Sequence, residues 1–128
     1  MIYRHHEHCE LSLEQMKRYP PLKSRSARLC DEYYRLVTEC VSGAQPGHVK
    51  ARCLAVAIEY HEALEDQLKF LLSRPPDRYI NHEIEFTREY INLLKNDIKR
   101  LTEKDGPLAN VRLDGAAPAL QYLMQQQL

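Results

Sequence analysis

Apolar residues recur every three or four positions along most of the chain, which is the spacing of helical faces. The clearest run lies between Arg78 and Glu103 and forms an uninterrupted heptad line of Ile80, Ile84, Thr87, Ile91, Leu94, Ile98 and Leu101. A second line of Phe86, Tyr90 and Leu93 widens this apolar face, as a helix inside a bundle requires. The pattern therefore predicts a long, well-buried helix over 78–103.

Residues at both ends of this run are typical of helix boundaries. Asp77 is a good N-cap, because its carboxylate can accept a hydrogen bond from an unpaired backbone N–H of the first turn. Gly106 and Pro107 follow the last apolar position and are expected to end the helix. Ile91 and Leu94 lie in the middle of the heptad line, so we expect both side chains to be almost fully buried.

Two further helices are predicted upstream. One spans about Gly47–Ser73, with an apolar face of Val49, Cys53, Val56, Tyr60, Leu64, Leu68 and Leu71. The other spans about Ser26–Val41, with an apolar face of Leu29, Tyr33, Leu36, Val37, Cys40 and Val41. The two longest helices are joined by a short proline-containing loop, which is typical of an antiparallel αα-hairpin.

The two ends of the chain are less regular. The positions Ile2, His6, Cys9, Leu13 and Met16 keep a helical step, so residues 2–18 can form a first helix. The alternative is that Ser12 and Gln15 form a capping box, which would start a shorter helix at Ser12. Pro20 and Pro21 are expected to end either version. A short terminal helix is predicted over Pro118–Gln125.

The expected fold is therefore all-α: an antiparallel (up-down) helical bundle of about four helices, with a short C-terminal helix or tail. The chain of 128 residues is the size of one domain. Within it, residues 1–23 are assigned to an N-terminal helix and a basic proline-containing loop. Residues 107–128 are assigned to a loosely packed tail.

Charge is balanced overall but not along the chain. The 18 Lys and Arg residues equal the 18 Asp and Glu residues, which argues against a protein that coats nucleic acid or an anionic membrane. Between Gln15 and Cys30, however, there is no acidic residue, and the cations there are Lys17, Arg18, Lys23, Arg25 and Arg28. These five are candidate contacts for an anion or nucleic acid, provided that they project from the fold together. The alternative is a solvated stretch whose cations balance acids elsewhere.

A second candidate site lies at the N-terminus, where His5, His8 and Cys9 fall on one side of a helix. Imidazole and thiolate are zinc ligands, although a closed site needs a fourth ligand from elsewhere in the chain. Residues 59–89 contain several Glu and His residues, but they match neither Glu-x-x-His pairs nor H-E-x-x-H. No cofactor is expected from the sequence.

The sequence contains no motif for nucleophilic catalysis or for a phosphate-binding loop, so we do not expect an enzyme or an identifiable small-molecule substrate. Four cysteines without a C-x-x-C pair, and no secretory signal or membrane span, predict reduced thiols and a cytoplasmic protein. The leading hypothesis is a non-catalytic module for interaction, regulation or accessory function that binds another protein or itself, a homodimer included. The alternatives are a nucleic-acid-associated regulator using 17–28 and a metal-binding protein using the N-terminal cluster.

Overall fold

The computed structural model describes residues 17–43 and 45–109, and within these ranges the chain is all-helical, without strands. Three helices follow one another: α1 (Tyr19–Ser42), α2 (Gly47–Leu72) and α3 (Arg78–Thr102). The predicted helices over 2–18 and Pro118–Gln125 lie outside the described residues. The all-α prediction is confirmed for the described part of the chain.

The start of α1 differs from the prediction. The helix begins at Tyr19 rather than Ser26, and Pro20 and Pro21 lie in its first turn instead of in a loop. A proline there costs little, because the first N–H groups of a helix have no intrahelical acceptor and the ring already fixes a helical φ. The assignment of residues 19–23 to a basic proline-containing loop is therefore wrong.

The boundaries of α2 and α3 agree with the predictions to within one residue. The Asp77 carboxylate accepts a hydrogen bond from the Ile80 backbone N–H at 2.7 Å, so the predicted N-cap is confirmed. After Thr102 the chain turns back on the helix, and the Leu108 N–H donates to the Leu101 carbonyl at 2.8 Å. Gly106 lies inside this turn, where a Cβ atom would clash with that same carbonyl oxygen.

The core is built around α2, against which both α1 and α3 pack. Buried residues of α2 are not confined to one stripe; they include the consecutive positions 56, 57 and 58 and then 60 and 61. One continuous cluster joins α2 to Tyr33 and Leu36 of α1 and to Leu94 and Ile98 of α3. Because α2 has neighbours on two sides, it is the most apolar of the three helices.

The heptad line of α3 is confirmed as a core stripe. Ile91 is 5% exposed and Leu94 is 2% exposed. The second line is placed differently: Phe86 is 45% exposed and Leu93 is 48% exposed, and Tyr90 is half-buried. The expectation that these three widen the core face is therefore wrong for Phe86 and Leu93.

Replacing Ile91 by Ala is expected to lower the free energy of unfolding by about 2–5 kcal/mol, because it removes buried methyl groups and leaves a cavity. The matched control is Leu72→Ala, an exposed residue at the end of α2, for which a change within about 0.5 kcal/mol is expected. Urea unfolding of both variants measures the difference. Equal losses would contradict the assignment of Ile91 to the core.

Candidate interaction groove

A groove runs between α1 and α3, with α2 as its floor. It encloses a cavity of about 460 Å³. Lys23, Ala27 and Cys30 of α1 line one wall, and Tyr60 and Leu64 of α2 lie beneath. We call this feature the α1/α3 groove. It exists because α1 and α3 each pack mainly on α2, which leaves the space between them open.

The α1 wall of the groove continues as an apolar stripe along the helix. Its positions, separated by four or three residues, are Lys23, Ala27, Cys30, Tyr34, Val37 and Val41. Such spacing puts side chains on one helix face, beside the core face that carries Tyr33. Tyr34 and Val41 of this stripe are exposed, and Cys30 is half-buried.

The α3 wall has a matching stripe with the same spacing, formed by Tyr79, Glu83, Phe86, Tyr90, Leu93 and Asp97. The rings of Phe86 and Tyr90 contact each other, with their centroids 5.0 Å apart. The centroid of the His82 ring lies 5.9 Å from that of Phe86. Aromatic rings that remain open to solvent provide large contact areas for a binding partner.

These two stripes account for nearly all of the exposed large apolar surface in 17–43 and 45–109. Six large hydrophobic residues are exposed there, and five of them belong to the stripes: Tyr34, Val41, Tyr79, Phe86 and Leu93. The sixth, Leu72, lies at the end of α2. Of the five, Phe86 lines the groove itself, and the other four continue the same two helical lines outside its lining. Exposed apolar residues are ordinary when scattered, but their alignment on two helical lines indicates an interaction surface.

A buried carboxylate closes one end of the groove. The Tyr19 hydroxyl donates to Glu83 Oε1 at 2.5 Å, and Lys23 Nζ donates to the same oxygen at 2.7 Å. Burial alone would raise the pKa of Glu83, but the hydrogen bonds from Lys23 and Tyr19 outweigh it and hold that pKa below its usual value. Glu83 therefore stays ionised and ties the start of α1 to α3.

Polar contacts also cross the floor and the far part of the groove. The Ser26 hydroxyl donates to Gln67 at 2.6 Å, and the Gln67 amide donates to Thr87 at 3.1 Å, so all three helices are connected. Further along, the Tyr33 hydroxyl donates to Asp97 at 3.3 Å. Burial and the nearby Asp97 carboxylate raise the pKa of Tyr33, so this hydroxyl remains a donor.

The five candidate cations do not all project from one face. Lys17 and Arg18 precede α1 and are exposed, and Arg28 is exposed on the helix. Lys23 faces Glu83 in the groove, whereas Arg25 pairs with Asp66 of α2 at 3.0 Å. Because they lie two residues apart on a helix, Lys23 and Arg25 point to different faces. The anion-binding role of the five cations stays a prediction.

The N-terminal candidate ligands His5, His8 and Cys9 lie outside the described residues. Across 17–43 and 45–109, no group of three or more His, Cys, Asp or Glu side chains is placed to hold a metal ion. Cys30, Cys40 and Cys53 are free thiols. Burial, together with the neighbouring Cys40, raises the pKa of Cys53 to about 12, which disfavours the reactive thiolate.

The apolar pattern of the sequence includes the residues of the groove walls, but it does not identify them as the walls of a groove. Phe86, Tyr90 and Leu93 share a helical line, and we interpreted that line as extra core surface rather than as one wall of an open groove. The corresponding line on α1, through Tyr34 and Val41, was partly assigned to the core as well. Periodicity identifies an apolar face, but it does not say whether the chain itself covers that face.

Comparison of the chain with protein-family models, with curated proteins and with solved structures gave no match in any of the three. Among the helices of the described residues, none combines the length and the apolar character needed to cross a membrane. The interpretation of the groove therefore depends on its own geometry.

His61 is a buried titratable group that does not line the groove. It is 4% exposed, its Nε2 has no hydrogen-bond partner among the described residues, and the Glu65 carboxylate lies 3.4 Å away. Burial, followed by the nearby Lys95 ammonium, lowers the pKa of His61 to about 4. The imidazole is therefore neutral in the folded chain at neutral pH.

Lys23→Gln is expected to lower the free energy of unfolding by about 1–2 kcal/mol, because a mostly buried carboxylate loses a charged donor. The matched control, Arg25→Gln, breaks the exposed pair with Asp66 and is expected to stay within about 0.5 kcal/mol. Chemical unfolding at pH 7 compares the two. A larger loss for Arg25→Gln would contradict the assigned role of Glu83.

His61 is expected to make stability fall as the pH drops from about 6.5 to about 4, because the unfolded imidazole binds a proton more readily than the folded one. The free energy of unfolding is measured at pH 7 and at pH 4 for wild type and for His61→Leu. Between these two pH values the wild type should lose about 3 kcal/mol more than His61→Leu. His48→Gln, on an exposed histidine, is the control and should keep the wild-type response. An unchanged response in His61→Leu would refute the buried neutral state.

Proposed function

We propose that the chain is a non-catalytic interaction module, located in the cytoplasm, that binds an amphipathic helix of a partner protein in the α1/α3 groove. The observation that carries this proposal is the pair of apolar stripes on facing walls of the groove. A helix laid between them would cover Phe86, Leu93 and Tyr34 at once. Proteins commonly recognise amphipathic helices in apolar grooves of this kind.

The position of the groove also supports a four-helix arrangement. Contacts between α1 and α2 pair early positions with late ones, as in Arg25–Asp66 and Glu32–Arg52. A helix added between α1 and α3 would bury the remaining apolar walls and complete an antiparallel, up-down bundle. We propose that such a bundle is the functional state, with the added helix supplied by the ligand.

The chemistry of the groove defines what the bound helix must carry. Its central wall is aromatic, so apolar side chains at helical spacing are needed opposite Phe86 and Tyr90. Near one end, Lys23 and Glu83 pair with each other, so the charges there are balanced. Along the α1 wall, Asp31 favours a basic residue on the ligand. Such a charge determines the orientation of the bound helix in the groove more than its affinity.

The nucleic-acid alternative depends on Lys17, Arg18 and Arg28, which are exposed. Binding of generic duplex DNA would weaken steeply with salt if these cations met phosphates. Loss of that binding in a Lys17→Gln, Arg18→Gln variant would favour this alternative over the groove. Metal binding by His5, His8 and Cys9 would be detected by elemental analysis of untagged protein.

Capture from native lysate by the full chain tests the groove. Phe86→Arg is expected to reduce capture of a specific partner by roughly tenfold or more, because it places a charge in the centre of the contact. Leu72→Arg changes an equally exposed apolar residue away from the groove and is the matched control. Cross-linking should place a helical segment of the partner next to Cys30. Equal capture by the two variants would refute the proposal.

A further inference from the structure

We infer that residues 2–16 of this same chain occupy the α1/α3 groove in the free protein, and that a partner helix binds by displacing them. The part of this inference that concerns displacement rests on the proposed function. The occupancy itself does not, because it follows from where the chain enters α1 and from which side chains residues 2–16 carry.

The chain enters α1 at one end of the groove. Tyr19, the first residue of α1, is buried; its ring stacks on Phe70 with centroids 5.6 Å apart, and its hydroxyl contacts Glu83. Lys17 and Arg18, immediately before it, form an exposed turn. The segment that precedes this turn therefore starts beside the groove and needs no long connection to reach it.

The length of the segment matches the length of the groove. Tyr19 contacts Glu83 and Tyr33 contacts Asp97. In each pair the two residues lie 64 positions apart in the sequence, so α1 and α3 run in the same direction and in constant register. The two walls thus run side by side for fourteen residues, or about 21 Å at a rise of about 1.5 Å per residue. A helix over residues 2–16 would extend for about 21 Å as well.

The segment has the apolar pattern that the groove requires. Ile2, His6, Cys9, Leu13 and Met16 are separated by four or three residues and share one helix face. Leu11 lies off this face, so the same substitution at Leu11 is a control for a substitution at Leu13.

One charge of the groove wall complements the segment when the segment runs back along α1. In that direction Arg4 and His8 come near Asp31 of the wall. Lys23 and Asp97 are already paired with Glu83 and Arg100, so they add nothing to this match. The C-terminal residues are a poorer match, because positions 115–128 contain no charged residue. They also follow the turn at Leu108, which is held at the far end of α3.

Tethering makes this occupant hard to displace. A segment joined to the groove by two residues is present there at an effective concentration in the millimolar range, whatever the protein concentration. A partner helix therefore binds in proportion to the fraction of chains whose groove is open. If about 90% of grooves are filled by residues 2–16, release of the segment raises the apparent affinity for the partner roughly tenfold.

Thiol cross-linking of the full chain tests the occupancy. Cys9 lies on the inserted face, and Cys30 is the half-buried thiol on the groove wall. A short bis-maleimide is expected to join Cys9 to Cys30 within one chain, and hydrogen exchange is expected to be slow in residues 2–16. Leu13→Asp should remove both signals, whereas Leu11→Asp should keep them. Rapid exchange with no cross-link in wild type, or a cross-link between two copies only, overturns the inference.

Partner capture by the same variants separates this inference from the proposed function. Leu13→Asp should increase capture roughly tenfold over wild type, and Leu11→Asp should not. An intramolecular cross-link without any groove-dependent capture supports the occupancy and overturns the proposed function. Groove-dependent capture without the cross-link supports the proposed function and overturns the occupancy.

Discussion

The burial of α2 between α1 and α3 is the constraint on which the rest of the described structure depends. Residues on more than one face of α2 are removed from water, so this helix must have neighbours on at least two sides. In this chain α1 and α3 each pack mainly on α2 and make few contacts with each other. The α1/α3 groove is the geometric result, and the apolar stripes that flank it are consistent with a fourth helical neighbour.

The buried Glu83 carboxylate adds a directional constraint to this apolar packing. The hydrophobic effect is non-directional, whereas a buried ionised side chain needs its donors in place. Tyr19 and Lys23 of α1 supply those donors, and the Ser26–Gln67–Thr87 contacts repeat the connection through α2. These polar groups therefore fix how far α1 lies along α3, and with it the depth and length of the groove.

Much of this fold could be predicted from the sequence because its signals are local. The heptad line through Ile91 and Leu94 and the cap at Asp77 each depend on residues within a few turns. The double proline was misinterpreted because Pro20 and Pro21 are compatible both with the end of one helix and with the first turn of the next. Tertiary contacts decide between the two, and here Tyr19 is held by Glu83, which lies 64 residues away.

The candidate site could be predicted only in part, for a related reason. Phe86 and Ile91 belong to apolar lines of similar strength on the same helix, and only the positions of α1 and α2 determine which line is covered. The pairing of Lys23 with Glu83 and of Arg25 with Asp66 likewise joins distant parts of the chain. A run of cations in sequence therefore became two separate contacts on different faces of α1.

The exposed stripe on α3 also bears on how the chain behaves at cellular concentrations. With 18 cations balanced by 18 acids, the molecule has almost no long-range repulsion to keep copies apart near neutral pH. Whenever the groove is open, Phe86 and Leu93 are therefore exposed apolar residues through which copies of the chain can associate. Substitutions that leave the groove uncovered would in that case be noticed first as precipitation and loss of abundance, well before any change in recognition was measured.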